Sequence, residues 1–218
     1  MQGQDRHRVI AIDGPAASGK SSVARQLARR LDFVYVNSGA MYRAVTWSVL
    51  NAGIDPANKN RIAELIANLS LDGILKDREL HLLIDTVDLT EHLHEDRVNS
   101  EVPRVSTVAE VRNVLVLRMR DYANQHDLVV EGRDIGSVVF SDTPYKFYID
   151  ASPEVRAQRR AAQGHRDEIA RRDQADSSRA TSPLVIAKDA EVIDTSHLTV
   201  DEVVDEIVKR LRGKHLAV

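Results

Sequence analysis

The chain has 218 residues, 30 basic and 33 acidic side chains, a formal net charge of −3 and no cysteine. This length favours one large domain or a core with insertions, and the absence of cysteine excludes disulfides and cysteine metal sites. The slightly negative charge and the lack of a long apolar run do not indicate nucleic acid or a membrane as a partner, and a cytoplasmic location is the expectation.

The first predicted elements are a strand, a glycine-rich loop and a helix. An apolar run at residues 8–12 is typical of a buried parallel strand, and Val23, Leu27 and Leu31 recur after the loop at helical spacing. Further strands are predicted at residues 33–36, 71–76, 79–84, 128–130, 145–149 and 191–193, and further helices at 40–50, 61–69, 109–124, 153–162, 166–176 and 200–211. Residues 91–103 are polar and poorly periodic.

Strands that alternate with helices imply a parallel sheet covered on both faces. Two segments depart from the alternation, residues 54–105 and residues 164–183. Both are predicted to be insertions over the end of the sheet where the connecting loops of such folds bind ligands.

The loop at residues 14–21 fits the pattern G-x-x-x-x-G-K-[ST] at every fixed position. In such a loop, consecutive backbone N–H groups surround an anion, and the helix that follows adds its dipole. Lys20 would reach the β- and γ-phosphates of a nucleotide, and the Ser21 hydroxyl would bind Mg²⁺. A glycine turn that binds nothing has no need for the triplet Gly19-Lys20-Ser21, so a phosphate-binding loop is predicted.

Two further blocks follow predicted strands. Ser38 stands where a helix cap is expected, Arg43 would face the same ligand one turn later, and Tyr42 offers a flat ring for stacking on a base. Arg133 and Asp134 are bracketed by glycines at the end of the third core strand, where parallel sheets bind ligands. The structural alternatives are a capping serine and a turn with a surface ion pair.

A charged segment near residue 170 has a helical spacing of its own. Arg172, Asp176 and Arg179 would share one face of a helix. A carboxylate between two guanidinium groups suits a ribose beside phosphates, and a solvated face with ion pairs is the alternative.

Taken together, these blocks resemble the bacterial cytidylate kinase family. The resemblance rests on residues 12–15 leading into the phosphate loop, 38–43, 132–140 and 150–152, and on Arg179 followed by Pro183 and Leu184. It spans almost the whole chain. The chain departs from the family pattern at Glu131, where an aspartate is common, and in short segments between residues 106 and 112 and between residues 160 and 172.

The resemblance implies an α/β fold of the P-loop NTPase type, with three layers, a parallel central sheet, an inserted nucleoside monophosphate (NMP)-binding subdomain and a short helical lid. Residues 1–37, 104–152 and 184–218 would form the core, residues 38–103 the NMP-binding insertion, and residues 153–183 the lid of a single kinase domain. A monomer is the expectation.

The implied reaction transfers a phosphoryl group from ATP, with Mg²⁺, to CMP or dCMP. The residues expected to bind ATP are Gly14, Pro15, Ala16, Ala17, Ser18, Gly19, Lys20, Ser21 and Ser22, with Ser21 as the metal ligand. The residues expected to bind CMP are Ser38, Tyr42, Arg43, Ser106, Arg112, Arg133, Asp134, Asp176 and Arg179. The expected catalytic residues are Lys20, Arg133, Arg159, Arg172 and Arg179.

Two other functions share the phosphate loop. Another small-molecule P-loop kinase would not need the pairs Tyr42-Arg43 and Arg133-Asp134 together. A non-catalytic ATP-binding switch would have no phosphate acceptor to hold, and so no need for the arginines near residue 170.

Overall fold

The computed structural model describes residues 7–162 and 184–216. The chain divides into two compact units. The first is built from the parts of the chain before residue 37 and after residue 121, and the second is Asn37–Asp121.

Strands and helices alternate through most of the described chain. The strands are β1 (Val9–Asp13), β2 (Val34–Asn37), β3 (Leu71–Lys76), β4 (Glu79–Ile84), β5 (Val87–Asp88), β6 (Leu128–Gly132), β7 (Tyr145–Asp150) and β8 (Glu191–Asp194). The helices are α1 (Lys20–Leu31), α2 (Ser38–Asn51), α3 (Lys59–Asn68), α4 (Asp96–Val105), α5 (Ala109–Ala123), α6 (Pro153–Ala162) and α7 (Val200–Gly213). A 3₁₀ turn at Thr90–His92 and a π-helical turn at Ile135–Val139 complete the set.

The first unit contains sheet strands that are neighbours in the order β2-β6-β1-β7-β8. Strand β1 pairs in parallel with β6 and β7, and β7 pairs in parallel with β8. All five residues of β1 and all five of β6 are buried, as expected for central strands covered on both faces. The predicted α/β fold with a parallel central sheet is confirmed. The last residue of β1, Asp13, lies opposite Gly132, the last residue of β6.

Helices α1 and α7 pack on this sheet through apolar residues at helical spacing. Leu27 of α1 and Ile207 of α7 belong to one buried cluster with Ile10, Phe147 and Ile193 of the strands. Helix α7 begins with a capping box in which Thr199 and Glu202 exchange side chain to backbone hydrogen bonds. This core fixes the strand ends from which the loops emerge.

The second unit contains α2, α3, α4, most of α5 and the antiparallel strands β3, β4 and β5. The predicted hairpin around residues 77 and 78 is confirmed. Asp77 and Arg78 have φ values of 49° and 63°, the left-handed conformation that a two-residue hairpin turn requires. Helix α2 packs against α4.

The main difference from the predicted elements is α4. The sequence at residues 91–103 indicated no helix, because it is polar and poorly periodic. The helix forms nevertheless, since Val98 and Val105 lie two turns apart on one face and both are fully buried. Of the other predicted helices, 166–176 lies outside the described residues. No helix in the described ranges is long and apolar enough to cross a membrane.

Candidate functional site

The loop between β1 and α1 has a backbone that few sequences tolerate. Gly14 passes so close to β7 that a Cβ would lie 2.1 Å from the carbonyl oxygen of Ile149, so only glycine fits. Ala17 and Gly19 adopt left-handed φ values of 60° and 92°. A left-handed alanine costs free energy, and strain of this kind recurs at ligand-binding sites as well as in turns.

Cationic side chains hold the carbonyl groups of this loop. The four donor and acceptor pairs are Arg133 Nη1 to Gly14 O at 3.0 Å, Lys20 Nζ to Pro15 O at 3.1 Å, Arg156 Nη1 to Ala16 O at 3.4 Å and Arg159 Nη1 to Ser18 O at 3.2 Å. Because the C=O and N–H groups of a planar trans peptide point in opposite directions, three of these contacts turn the N–H group of the following residue away from the cation. The fourth, at Gly14, fixes only the carbonyl group, since the next residue is Pro15 and has no N–H. The result is a concave row of donors suited to an anion.

The Ser18 hydroxyl lies inside this loop. Its Oγ is enclosed and has no hydrogen-bond partner among the described residues. It lies 3.0 Å from the point that a Cβ on Gly14 would occupy, so it faces the loop interior. A buried polar atom without a protein partner is rare in folded proteins, and inside a loop of this kind it suits a ligand that accepts a hydrogen bond.

Ser21 lies beside a buried carboxylate. Its Oγ donates to Glu131 Oε1 at 2.7 Å, and Tyr35 Oη donates to the same oxygen at 3.1 Å. Glu131 comes from β6 and is buried. The sequence had marked Glu131 only as a departure from a pattern. Its contact with Ser21 places two oxygen groups together at the start of α1.

Arg133 and Asp134 follow β6 and precede the π-helical turn. Arg133 is bonded to Gly14 of the phosphate loop, and Asp134 is buried at the N-cap position of the turn. The next two N–H groups, of Ile135 and Gly136, donate to Asp13 Oδ1 and Oδ2, each at 2.8 Å. Asp13 had been given no role from the sequence, although it directly precedes the phosphate loop.

Arg159 and Thr195 hold the far end of the loop. Arg159 Nη2 donates to Thr195 O at 2.7 Å, and its Nη1 donates to Thr195 Oγ1 at 3.1 Å. Thr195 Oγ1 also lies 2.8 Å from Ser18 O, within reach to donate to it. Arg159 had been predicted to be catalytic. Thr195 was missed, because one threonine after a strand carries no pattern.

In the second unit, Ser38 begins α2 and is buried. The expectation that it stands at the helix cap is wrong. The cap is Asn37, whose Oδ1 accepts from the N–H of Ala40 at 2.9 Å. Arg43 Nε donates to Asn99 Oδ1 on α4 at 3.3 Å, a partner the sequence did not indicate. Tyr42 is also buried, with 9% of its surface exposed.

Ser106 and Arg112 are buried polar residues of the same unit. Ser106 is the C-cap of α4 and donates to Pro103 O at 3.2 Å, and Arg112 lies on α5. The remaining predicted site residues, Arg172, Asp176 and Arg179, lie outside the described residues. The described part of the predicted site therefore falls on the phosphate loop and the Arg133-Asp134 segment in one unit, and on α2, α4 and α5 in the other.

A glycine-rich loop of this sequence and geometry, between a parallel strand and a helix, defines a P-loop α/β protein. Solved structures share this fold. Shikimate kinase from Acinetobacter baumannii, in complex with shikimate, matches with a TM-score of 0.51 at 13% identity and 96% coverage of each chain. TT1252 from Thermus thermophilus matches with a TM-score of 0.51 at 16% identity, covering 98% of this chain and 100% of that one.

Within this class, the sequence pattern of the cytidylate kinase family matches residues 10–213. The chain belongs to the cytidylate kinase family. It is 45% identical to the cytidylate kinase of Corynebacterium efficiens, over 92% of this chain and 93% of that one. It is 39% identical to that of Clostridium tetani, over 94% of each, and 42% identical to that of Desulforamulus reducens, over 93% and 96%.

Proposed function

We propose that this protein transfers the γ-phosphoryl group of ATP to CMP and dCMP, giving ADP with CDP or dCDP. The observation that carries the proposal is the bond from Arg133 to Gly14, which ties an Arg-Asp segment suited to an acceptor nucleotide to a loop suited to the phosphates of a donor. Relatives that align over more than nine tenths of their length are named cytidylate kinase, which supports the same reaction.

The donor half of the proposed site is the loop at residues 14–22. Its N–H groups and the Ser18 hydroxyl would bind the ATP phosphates, and Lys20 would exchange its bond to Pro15 O for a phosphate oxygen. The cations behind the loop favour an anion within it. ATP therefore fits this loop, because one of its phosphate oxygens would accept a hydrogen bond from the enclosed Ser18 hydroxyl, which has no protein partner in the described part of the chain.

Mg²⁺ fits the oxygen groups beside this loop. Ser21 Oγ and the Glu131 carboxylate are the hard ligands that Mg²⁺ prefers, and they lie in contact. The described residues contain no group of three acidic or histidine side chains that could hold a metal ion. Water and phosphate oxygens would therefore complete the shell around Ser21. Bound there, the ion would neutralise charge on the transferring group.

The proposed acceptor residues each supply a group that CMP needs. Ser38, Arg43 and Arg133, with Arg179, would bind the phosphate, and Tyr42 would stack near the cytosine. Asp134 and Arg112, with Ser106, would contact the edge of the base. Asp176 and Arg172 would contact the sugar, and Arg159 would act on the donor side. Arg133 and Asp134 follow β6 directly, so the sheet would position them.

The chemistry needs no general base. The nucleophile is an oxygen of the CMP phosphate, which is largely ionised near neutral pH. It forms a bond to the γ-phosphorus of ATP while the bond from that phosphorus to the bridging oxygen of ADP breaks. Lys20, Arg133 and Arg159 would stabilise the charge on the transferred group.

The same proposal includes the boundaries of the three segments, the oligomeric state and the location of the protein. The core would comprise residues 1–37, 104–152 and 184–218, the NMP-binding insertion residues 38–103, and the lid residues 153–183. The protein would act as a monomer in the cytoplasm. Sedimentation of the purified chain with and without CMP would test the monomer, since a dimer in both conditions would contradict it.

The deciding experiment is an ADP-release assay with ATP and a panel of acceptors. Asp134 would accept from the 4-amino group of cytosine, whereas UMP presents a carbonyl oxygen there, so kcat/KM for UMP should be lower by about 10³-fold or more. Equal turnover of CMP and UMP would contradict the proposal. Turnover of shikimate without CMP would indicate another small-molecule kinase, and ATP binding without transfer to any acceptor would indicate a switch.

A further inference from the structure

Asp13 is a buried carboxylate to which the proposed chemistry gives no task. It is the last residue of β1, with 5% of its surface exposed. Both of its oxygens are used, because the N–H groups of Ile135 and Gly136 each donate to one of them at 2.8 Å. Those N–H groups open the π-helical turn. Asp13 thus caps, from another strand, a turn whose own N-cap residue makes no side-chain capping bond.

The contact is reciprocal. Asp13 accepts from the two residues that follow Asp134, while Arg133 donates to the carbonyl oxygen of Gly14, the residue that follows Asp13. Three hydrogen bonds therefore join residues 13–14 to residues 133–136 beyond the end of the β1 and β6 pairing. We call these three bonds the strand-end clamp.

Gly136 leaves this clamp little room. A Cβ there would lie 3.3 Å from Asp13 Oδ2 and 3.1 Å from Lys146 Cγ, closer than most real contacts of a Cβ. The carboxylate thus lies against the backbone, and a side chain on residue 136 would require Asp13 or Lys146 to shift. This requirement explains the second glycine of the block at residues 132–136.

The environment of Asp13 is unfavourable for a charge. Burial raises its pKa to about 6, the neighbouring Asp134 adds to the rise, and the two N–H bonds and Lys20 oppose it. An apolar residue would avoid this cost but would leave two N–H groups unpaired. A carboxylate is the side chain that offers two acceptors and no donor.

We propose that Asp13 is a positioning residue, which holds the Arg133-Asp134 segment at a fixed distance from the phosphate loop so that an acceptor bound by that segment faces the donor phosphate. The inference rests on the proposed function for the identity of the acceptor. Asp13 itself touches neither substrate. Its effect is geometric, and a displacement of about 1 Å in such an arrangement can lower a rate by about 10²-fold.

The test compares Asp13→Asn with Asp127→Asn. Asparagine has the shape of aspartate but offers one acceptor and one donor, so one of the two N–H groups would face another donor. Asp127 is the matched control, because it is a partly buried carboxylate at the opposite end of the same two strands, bonded to Arg8. The purified full chain is assayed with ATP and CMP, and ATP binding is measured separately without an acceptor.

Asp13→Asn is expected to lower kcat with CMP by about 10²-fold while the dissociation constant of ATP stays unchanged. The preference for CMP over UMP should fall as well, by about tenfold, because the segment that contacts the base has moved. Hydrogen exchange at the N–H groups of Ile135 and Gly136 should accelerate. Asp127→Asn should leave all four quantities unchanged. A purely structural role for Asp13 would lower activity with both acceptors equally and would leave their ratio unchanged.

Two failures are distinguishable. If the wild-type chain does not phosphorylate CMP, the proposed function is wrong, and hydrogen exchange together with ATP binding still tests the clamp. If the wild-type chain is active and Asp13→Asn matches it in kcat and in the CMP to UMP ratio, the role of Asp13 is wrong. Should Asp13→Asn not fold, Gly136→Ala presses a Cβ against the same carboxylate and should lower kcat by a smaller factor, because the shift required is smaller. Wild-type kinetics in a folded Gly136→Ala would overturn the inference.

Discussion

At each end of the β1 and β6 pair, a carboxylate accepts hydrogen bonds from the neighbouring segment, but the donors differ. At the amino end, Arg8 donates to Asp127 through its backbone N–H, its Nε and its Nη2. At the carboxyl end, Asp13 accepts hydrogen bonds from two backbone N–H groups. The contact at the amino end joins opposite charges. At the carboxyl end, the buried carboxylate of Asp13 has another carboxylate, Asp134, for a neighbour.

The pKa values of the two carboxyl groups move in opposite directions for this reason. Burial raises the pKa of Asp127, but the hydrogen bonds and charge of Arg8 outweigh it, so the pKa lies below its ordinary value. At Asp13 burial dominates and the pKa rises to about 6. The ionised Asp127 therefore stabilises the fold at the amino end. At the carboxyl end, where the phosphate loop begins, burial of the ionised Asp13 lowers stability. On the proposed function, one end of the two strands would therefore serve stability and the other end the chemistry.

The largest expected effect follows from removing a charge at each end. Lys20→Met at the carboxyl end should lower kcat/KM by about 10³-fold, because one donor to the transferring group is lost. Arg8→Met at the amino end should leave kcat/KM unchanged and lower the free energy of unfolding by about 1 kcal/mol. Steady-state kinetics and urea unfolding of both variants measure the difference. Comparable kinetic losses in the two variants would remove the distinction between the ends.

A matched pair of threonines gives a smaller effect. Thr195 Oγ1 contacts Ser18 O of the phosphate loop, and Thr143 Oγ1 donates to Val9 O at the start of β1. Thr195→Val should lower kcat/KM for ATP by about tenfold, since one support of the loop is lost and Arg159 keeps its bonds to backbone oxygens. Thr143→Val should lower only the free energy of unfolding, by about 1 kcal/mol. An unchanged KM and kcat in Thr195→Val would contradict the supporting role of Thr195.

Features at the carboxyl end differ in how far they could be predicted from the sequence. The phosphate loop could be predicted because its residues are contiguous and the flanking strand and helix have distinct periodicities. The role of Asp13 could not, since the N–H groups that it accepts from lie more than 120 positions along the chain. The contact between Ser21 and Glu131 was hidden in the same way, because it joins residues 110 positions apart.

Local competition explains other differences. Ser38 was expected at a helix cap because serine suits that position, but asparagine suits it equally well and Asn37 occupies it. Helix α4 was missed because its apolar face consists of a few valines within a charged segment, so only packing within the second unit makes it favourable. In the first case the adjacent residue decided the cap, and in the second case the residues that pack on α4 decided the helix.

The enclosed hydroxyl of Ser18 predicts a modest effect on ATP alone. If Ser18 Oγ donates to an ATP phosphate, Ser18→Ala should weaken ATP binding by about fivefold and leave the KM for CMP unchanged. Ser48→Ala is the control, because that buried hydroxyl already donates to Ala44 O within α2. Calorimetric titration of ATP into each variant measures the change. Tighter or unchanged binding in Ser18→Ala would mean that the hydroxyl faces water in the complex.

The last contrast is in the pH dependence of stability, and its sign differs between the two ends. Asp13 has a folded pKa of about 6, above the ordinary value of about 3.9, so its contribution to stability is fully present below about pH 4 and is lost as the pH rises through 6. The charged groups that act on it are Asp134, which raises its pKa, and Lys20, which lowers it. Lys146 is paired with Asp189, and burial raises the pKa of Tyr148 to about 12.

Asp13→Asn should therefore gain stability relative to the wild-type chain as the pH rises from 4 to 7, because the wild-type carboxyl ionises over that range and the amide does not. Asp127 has a lowered pKa, so its contribution is present above about pH 4 and is lost only as the pH falls further. The difference between Asp127→Asn and wild type should thus stay constant from pH 5 to 7. Urea unfolding at each pH measures both differences. Parallel curves for Asp13→Asn and wild type across pH 4 to 7 would mean that Asp13 titrates like an ordinary surface carboxyl, and the contrast between the two strand ends would then rest on hydrogen bonding alone.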